Sequence, residues 1–137
     1  IIKQVTAINE IALIIGLAAI TVGNFLGGVW ANESWGRYWG WDPKETWAYV
    51  SIVVYAIVIH LRFIKSLATP FVFATASLLA FSSILMTYLG VNFYLSGMHS
   101  YATGDPVPIP MWAYLTVATA FAAIILAYKN RDLKNIE

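Results

Sequence analysis

Four of the six tryptophans in this 137-residue chain fall within one thirteen-residue stretch, residues 35–47, which reads WGRYWGWDPKETW. The glycines at positions 36 and 40 permit tight turns, so that several indole rings can face one way. Two cations, Arg37 and Lys44, belong to the same stretch. Planar rings stack on indoles, and carboxylates pair with cations. We therefore predict a flat aromatic platform beside two cations, which suits haem, a large planar ligand with two propionates.

A membrane-interface belt of aromatic residues is the simpler interpretation of clustered tryptophans. It accounts for one or two tryptophans at a helix end, but not for a dense cluster with glycines between its members. The end of the stretch also predicts a helix start, with Asp42 as the cap, Pro43 in the first position and Glu45 near the positive end of the helix. We expect mainly structural roles for Asp42 and Glu45. Whether Arg37 and Lys44 pair with propionates or face solvent stays open.

The chain has two histidines, His60 and His99. A single histidine is commonly a hydrogen-bonded structural residue, but ionisable groups within membrane helices are costly and often functional. His60 follows Trp47 by 13 residues, which is about 20 Å along a helix, whereas His99 lies in a predicted loop on the tryptophan side. Two imidazole nitrogens on one iron are only about 4 Å apart, given metal–nitrogen bonds near 2 Å. The two histidines therefore cannot ligate the same haem, and each would need a second ligand from elsewhere to hold one.

The elements that must position these residues are membrane helices. Sixty per cent of the residues are hydrophobic and 11% are charged, against about 25% charged in soluble domains. A membrane span needs about 20 apolar residues, and four long stretches carry no charge: 11–30, 46–61, 66–104 and 106–128. We predict an all-α polytopic membrane protein, a single domain over 1–137 with a bundle of about four transmembrane helices. The predicted helices are about 9–30, 46–64, 69–92 and 110–129.

The Lys and Arg residues predict the orientation. Six of the eight fall on one side of the predicted helices: Lys3, Arg62, Lys65, Lys129, Arg131 and Lys134. Cytoplasmic loops are the positively charged ones, so both termini and the 62–69 turn are expected in the cytoplasm. The tryptophan stretch and His99 are then extracytoplasmic, as in a multi-pass protein of the bacterial plasma membrane. The chain begins with isoleucine and has no signal peptide, which predicts a piece of a longer protein.

Three further features of the sequence bear on function and packing. The net charge of +1 argues against a nucleic-acid partner, and the absence of cysteine excludes disulfides and thiol exchange within the chain. Small residues recur at three- and four-residue steps on the first helix: Ala12, Gly16, Ala19, Gly23 and Gly27. Such a stripe lets helices approach closely in lipid, and we expect it to serve helix packing.

The 35–47 stretch resembles the tryptophan-rich WWD signature of membrane haem-handling proteins, and its WDPKETW ending is similar to the CcsA (ResC) type of cytochrome c biogenesis protein. The resemblance continues in LGxxW before the motif and in IHLR and GMHSYA after it. It implies a component of the cytochrome c synthase that carries haem b through the membrane. At the outer face, the thiols of an apocytochrome c Cys-x-x-Cys-His segment would add to the haem vinyl groups. A haem lyase activity would then belong to the complex rather than to an acid–base pair in this chain.

The resemblance also implies residue roles. His60 is similar to a membrane haem ligand of the family and His99 to an outer-face ligand, both as iron ligands. The tryptophans, the two cations and one carboxylate are expected to bind the haem: Trp35, Arg37, Trp39, Trp41, Asp42, Lys44 and Trp47. The remaining ligands would come from an upstream segment and a CcsB-like membrane subunit, and membrane lipid surrounds the complex. Two alternatives stay open. One is a haem exporter or chaperone that forms no thioethers, and the other is a structural or quinone-binding subunit.

Overall fold

A computed structural model describes residues 1–98 and 108–130. The chain divides into two compact units, Ile1–Gly104 and Asp105–Glu137. The first contains helices α1 (Ile2–Trp35), α2 (Pro43–His60), α3 (Pro70–Leu85) and the short α4 (Val91–Phe93), and the second contains α5 (Met111–Asn130). In the described ranges all regular structure is helical. Four segments are long and apolar enough to cross a membrane: Ile2–Trp35, Pro43–Phe63, Pro70–Phe93 and Met111–Asn130. The prediction of an all-α polytopic membrane protein is confirmed.

Helix α1 has 34 residues and is therefore about 51 Å long, well beyond the roughly 30 Å of a hydrocarbon core. It exceeds the predicted 9–30 at both ends, because hydropathy detects only the apolar part of a helix that continues through polar residues. Gly36 ends it in the left-handed conformation at φ 72°, and its N–H donates to the Asn32 carbonyl. Trp35 therefore lies in the last turn of a helix, and not in the loop.

Helix α2 begins as predicted. The carboxylate of Asp42 accepts the N–H of Lys44, Pro43 is the first helical residue, and the Glu45 side chain closes the capping box. The helix ends at His60 and passes into a 3₁₀ turn, Leu61–Phe63. Thr69 then caps α3 by accepting the Val72 N–H at 3.2 Å.

Between α3 and α4 the helix is π-helical over Met86–Gly90, a form that is rare and frequent at functional sites. The Thr87 hydroxyl lies 3.0 Å from the Trp47 carbonyl and 2.8 Å from the Ser83 carbonyl. Because carbonyls only accept, the Thr87 proton goes to one of them. The fully buried Ser51 must then donate to Thr87 Oγ1 across 3.0 Å. This polar cluster joins α2 to the π-helical turn.

The core of the first unit is small and lies where α2 meets α3. Val58, Phe73 and Ala80 are buried there, and partly buried residues of α1 to α3 pack around them: Leu13, Val54, Tyr55 and Ala76. Polar contacts join α1 to this core near its N-terminal end. Glu10 forms an ion pair with Arg62, and Asn9 donates to Ser77 Oγ at 3.1 Å.

The small-residue stripe of α1 does not pack against another helix of the first unit. A Cβ added at Gly16, Gly23 or Gly27 would have no described atom within 4 Å. These three glycines make no close contact with the described helices, and the expected role of the stripe in helix packing stays a prediction. Helix α1 contacts the other helices through Leu13, which packs against the core, and through the polar contacts near Glu10.

Helix α5 is described by itself. None of its residues is buried within the chain, and its window of highest hydropathy is long enough for a span. Aromatic residues lie toward both ends, with Trp112 and Tyr114 at one and Tyr128 at the other. This distribution matches the aromatic belts of membrane interfaces.

Candidate functional site

The loop between α1 and α2, residues 36–42, folds back against α1. At Gly28, an added Cβ would lie 3.2 Å from the Tyr38 carbonyl oxygen, so a side chain there would push the loop away. At Gly40 the position of a Cβ is occupied by the guanidinium of Arg37. These two glycines therefore allow close approach of the loop backbone to α1 and of Arg37 to the loop.

The aromatic rings of the loop meet edge to face. Trp39 and Trp41 have ring centroids 5.7 Å apart at an interplanar angle of 89°, and Trp39 meets Tyr49 at 6.5 Å and 83°. Trp30 and Trp35 meet at 5.0 Å and 79°. The predicted flat platform is wrong, because edge-to-face pairs are favoured by the ring quadrupoles. The rings form a corrugated surface with faces in several directions.

Trp41 is the most exposed member of this surface, with 71% of its area accessible. Its backbone adopts φ 58°, the left-handed region that costs a non-glycine residue roughly 1–2 kcal/mol. Such strain in a bulky residue is most frequent at functional sites. The fold holds an exposed indole in a strained conformation, which is the opposite of what stability alone would select.

Asp42 and Glu45 are both buried and organise the loop. Glu45 Oε2 accepts the N–H groups of Gly40 at 2.7 Å and Asp42 at 3.2 Å. The structural roles expected for these two carboxylates are confirmed. The other carboxylate oxygen, Glu45 Oε1, is buried and accepts no hydrogen bond from the described residues.

Asp42 also binds a distant segment. Its Oδ1 accepts the backbone N–H of Met98 at 2.6 Å, and Arg37 Nη2 lies 2.6 Å from the Met98 sulfur. A Cβ at Gly97 would come within 2.6 Å of Asp42 Oδ1 and 2.8 Å of the Pro43 ring, so only glycine allows this contact. Arg37 therefore packs between the loop and Met98. His99, the next residue in the sequence, lies outside the described residues.

Lys44 contacts the third membrane segment. Its ammonium donates to Asn92 Oδ1 at 3.0 Å and lies 5.9 Å from the centroid of the Tyr88 ring. Sequence reasoning missed Asn92, Thr87 and Met98. A usable signal was present for the first two, since a polar residue in a membrane helix generally seeks a partner.

His60 lies at the far end of α2 from the loop. Its Nδ1 is 2.7 Å from the Ala56 carbonyl oxygen, which can only accept, so Nδ1 carries a proton. No described residue binds Nε2, and the side chain is exposed. Metal-binding histidines usually donate the second ring N–H to a carbonyl in this way, which orients the ring. Trp47 lies on the same uninterrupted helix, 13 residues and about 20 Å away.

A groove of about 360 Å³ opens between the C-terminal half of α1, the loop and α2. Its residues come mostly from the glycine-rich face of α1 and the tryptophan stretch: Ile20, Gly23, Asn24, Gly27, Gly28, Trp30, Tyr38, Trp39, Lys44, Glu45, Ala48 and Thr87. Across the described ranges, no group of three or more His, Cys, Asp or Glu side chains could hold a metal ion.

Comparisons with known proteins cover most of the chain. Residues 1–99 match the family described as cytochrome c assembly protein. The chain is 58% identical over 134 residues to Protein NrfI of Wolinella succinogenes, covering 98% of the chain and 15% of that protein. It is 40% identical over 101 residues to the cytochrome c biogenesis protein CcsA of Prochlorococcus marinus MIT 9515, covering 72% of the chain and 31% of that protein. It is 46% identical over 89 residues to CcsA of Gloeobacter violaceus, covering 64% of the chain and 25% of that protein. The chain thus spans a third or less of these relatives.

Proposed function

Because this chain belongs to the cytochrome c assembly protein family, we propose that it binds haem and presents it for covalent attachment to apocytochrome c. Family membership places the chain among the proteins of cytochrome c biogenesis. In the reaction that we propose, each thiol of a Cys-x-x-Cys-His segment adds across one haem vinyl group. Sulfur bonds to one vinyl carbon and hydrogen to the other, with no leaving group and no net oxidation. The chain supplies binding and orientation, and the haem carries the reacting groups.

The anchoring of Met98 on Asp42 carries this proposal. Met98 directly precedes His99, and its N–H is bound to the residue that ends the tryptophan loop. Gly97 is required for that contact. A histidine that follows such an anchor is well suited to supply an iron ligand beside the indoles. The order of the sequence alone gives no reason for residues 42 and 98 to meet.

The surface for the macrocycle would consist of the exposed face of the loop. Trp41 projects an indole from it, and Trp39 supports that ring edge to face. Trp35 is the last residue of α1, directly before the loop, and Trp47 lies in the first turns of α2, after the loop. Arg37 is the cation next to Met98 and is the candidate for a propionate, whereas Lys44 lines the groove between α1 and α2.

A second haem position would use His60. Its Nδ1 is bound to a backbone carbonyl, which leaves Nε2 available for iron. Asp42 and His60 are 18 residues apart on one helix, which is about 27 Å. Met98 is therefore far from His60, in agreement with two separate irons. We propose that each iron takes its other ligand from outside this chain, one of them from a CcsB-like subunit.

The proposed setting is the bacterial plasma membrane, with the tryptophan loop on the outer face. The uneven distribution of Lys and Arg supports this orientation. Haem b would be cargo that enters near His60 and leaves at the loop. Reporter fusions to the loop and to the C-terminus would test the orientation, which requires an extracytoplasmic loop.

The function is tested by covalent haem attachment and by the haem spectrum. We expect cells that have only this assembly system to make c-type cytochrome, and His99→Ala to abolish it. The complete protein purified with its partner subunit and carrying His99→Ala should show weaker haem bands that recover with added imidazole, while the neighbouring Ser100→Ala should resemble wild type. Haem binding without any covalent product would favour an exporter over a synthase. Unchanged spectra and cytochrome yield in His99→Ala would refute the outer site.

A further inference from the structure

The groove between α1 and α2 has an apolar floor and a charged end. Its floor is the glycine-rich face of α1, and from Ile20 to Gly28 it extends about 12 Å along the helix axis. At one end Lys44 and Glu45 line it, directly below the loop. Residues 11–30 of α1 carry no charge, and we take them as the part of this candidate span that lies in the membrane. The floor therefore lies at hydrocarbon depth, and the charged end lies at the depth of lipid headgroups.

Glu45 has one buried carboxylate oxygen with no hydrogen-bond donor among the described residues. Its side chain is 9% exposed, and Oε2 is occupied by two backbone N–H groups. Its other oxygen, Oε1, is buried with no donor among the described residues. A buried acceptor left unpaired is costly, so a hydrogen-bond donor from outside the chain would stabilise this arrangement.

A cation is near the same end of the groove. Lys44 donates one of its three hydrogens to Asn92, which leaves two for an anion. The groove thus offers an anionic acceptor beside a cationic donor, within a rim of aromatic rings from Trp30, Tyr38 and Trp39. Aromatic faces attract ammonium groups. The complementary ligand carries an ammonium with N–H groups, a phosphate and an apolar chain.

We propose that this groove binds one phosphatidylethanolamine molecule. When the side chains that cover Glu45 Oε1 shift, the lipid's ammonium donates to that oxygen. Its phosphate accepts from Lys44, and an acyl chain lies over Gly23 and Gly27. Asn24 lines the groove about 9 Å deeper than Trp30 along α1 and makes no hydrogen bond with any described residue, so its amide is available to the ester carbonyls. Haem is a poor occupant, because the Glu45 carboxylate would repel its propionates. The proposal does not depend on haem binding by the loop.

The choice of lipid gives a sharp test, because phosphatidylcholine has the same phosphate and chains but no N–H on its ammonium. Native mass spectrometry of the purified protein in detergent, titrated with each lipid, measures the two affinities. We expect one phosphatidylethanolamine to bind roughly tenfold more tightly than phosphatidylcholine, the size of a hydrogen bond to a charged group. In Glu45→Gln the single amide oxygen can keep the two loop N–H groups while its NH₂ enters the groove. This variant should lose the preference and keep its fold.

Two glycine variants control for the site. Leucine at Gly27 would fill the groove without a backbone clash, because a Cβ there meets no described atom within 4 Å. It should abolish tight binding of both lipids. Gly16→Leu adds the same side chain at an equally open position outside the groove and should leave binding unchanged. Equal affinity for the two lipids in the wild type, a preference that persists in Glu45→Gln, or equal effects of the two leucines would each overturn the proposal. These outcomes leave the haem proposal untouched.

Discussion

Met98 donates its backbone N–H to Asp42 Oδ1 across 2.6 Å, and the same carboxylate caps helix α2 through Oδ2. One buried side chain therefore starts a membrane helix and also fastens the residue before His99. Neither oxygen can be removed without releasing one of the two groups. This double role links the stability of the loop to the position of the proposed haem ligand.

Replacement of Asp42 should separate its two roles. Asp42→Ala loses both hydrogen bonds and should lower the free energy of unfolding by about 1–2 kcal/mol, as for other lost helix caps. Asp42→Asn has one acceptor oxygen and is expected to keep the cap and weaken the Met98 bond. Thermal unfolding in detergent should then rank wild type, Asn and Ala in falling order. Haem bands at the outer site should already be weak in the Asn variant. A fully wild-type spectrum in Asp42→Ala would contradict the coupling.

The polar cluster of Ser51 and Thr87 should stabilise the contact between α2 and the π-helical turn. Thr87→Val removes the acceptor of the buried Ser51 hydroxyl and should cost about 1–2 kcal/mol, near the upper end for hydrogen bonds in membrane proteins. Thr87→Ser keeps the hydroxyl and serves as the control. The double variant Ser51→Ala with Thr87→Val should be less destabilised than the two single losses added together. Strict additivity would show that the two hydroxyls do not interact.

The strained backbone at Trp41 allows a test in which stability and function move in opposite directions. Trp41→Gly removes a left-handed non-glycine residue and should raise the free energy of unfolding by about 1 kcal/mol. It should also lower the yield of c-type cytochrome, because the exposed indole is lost. Gly36→Ala is the matched comparison, since φ 72° at that position favours glycine, and it should destabilise by a similar amount. A Trp41→Gly protein that loses both stability and yield would indicate that this indole mainly packs.

Removal of His60 should affect haem and not the fold. Because the side chain is exposed and bonds only to its own helix among the described residues, His60→Ala should change the free energy of unfolding by less than about 0.5 kcal/mol. The visible spectrum of the complete protein purified with its partner subunit should lose the membrane haem, and added imidazole should restore it. Ile57→Ala alters an exposed residue one turn earlier and should leave the spectrum intact. Equal spectra for the two variants would exclude His60 as an iron ligand.

Several elements followed from local sequence because their causes are local. Asp42, Pro43 and Glu45 occur in the order that a helix start requires, and the structure uses them in that way. The spans were detectable because an uncharged stretch of about 20 residues has few alternatives to crossing a bilayer. The ends of α1 were missed because polar residues continue a helix beyond its apolar part without any signal in hydropathy.

The arrangement of the rings could not be predicted in the same way. Glycines at 36 and 40 indicated tight turns, but the angles between indoles depend on the backbone of Trp41 and on Tyr49 from α2. The glycine stripe was expected to pack helices because small residues usually do so in lipid. In the structure Gly23 and Gly27 line a groove, a feature that depends on where α2 and the loop lie and that no local pattern specifies.

The sequence by itself determined the class of the protein, the number of spans, the start of α2 and the family to which the tryptophan motif belongs. These depend on composition, short-range hydrogen bonding and the identity of consecutive residues. Only the tertiary structure decided that Met98 binds Asp42, that Thr87 joins Ser51, and that one oxygen of Glu45 is buried without a donor among the described residues. These contacts join residues up to 56 positions apart, and they arise from how helices pack, which no local pattern specifies.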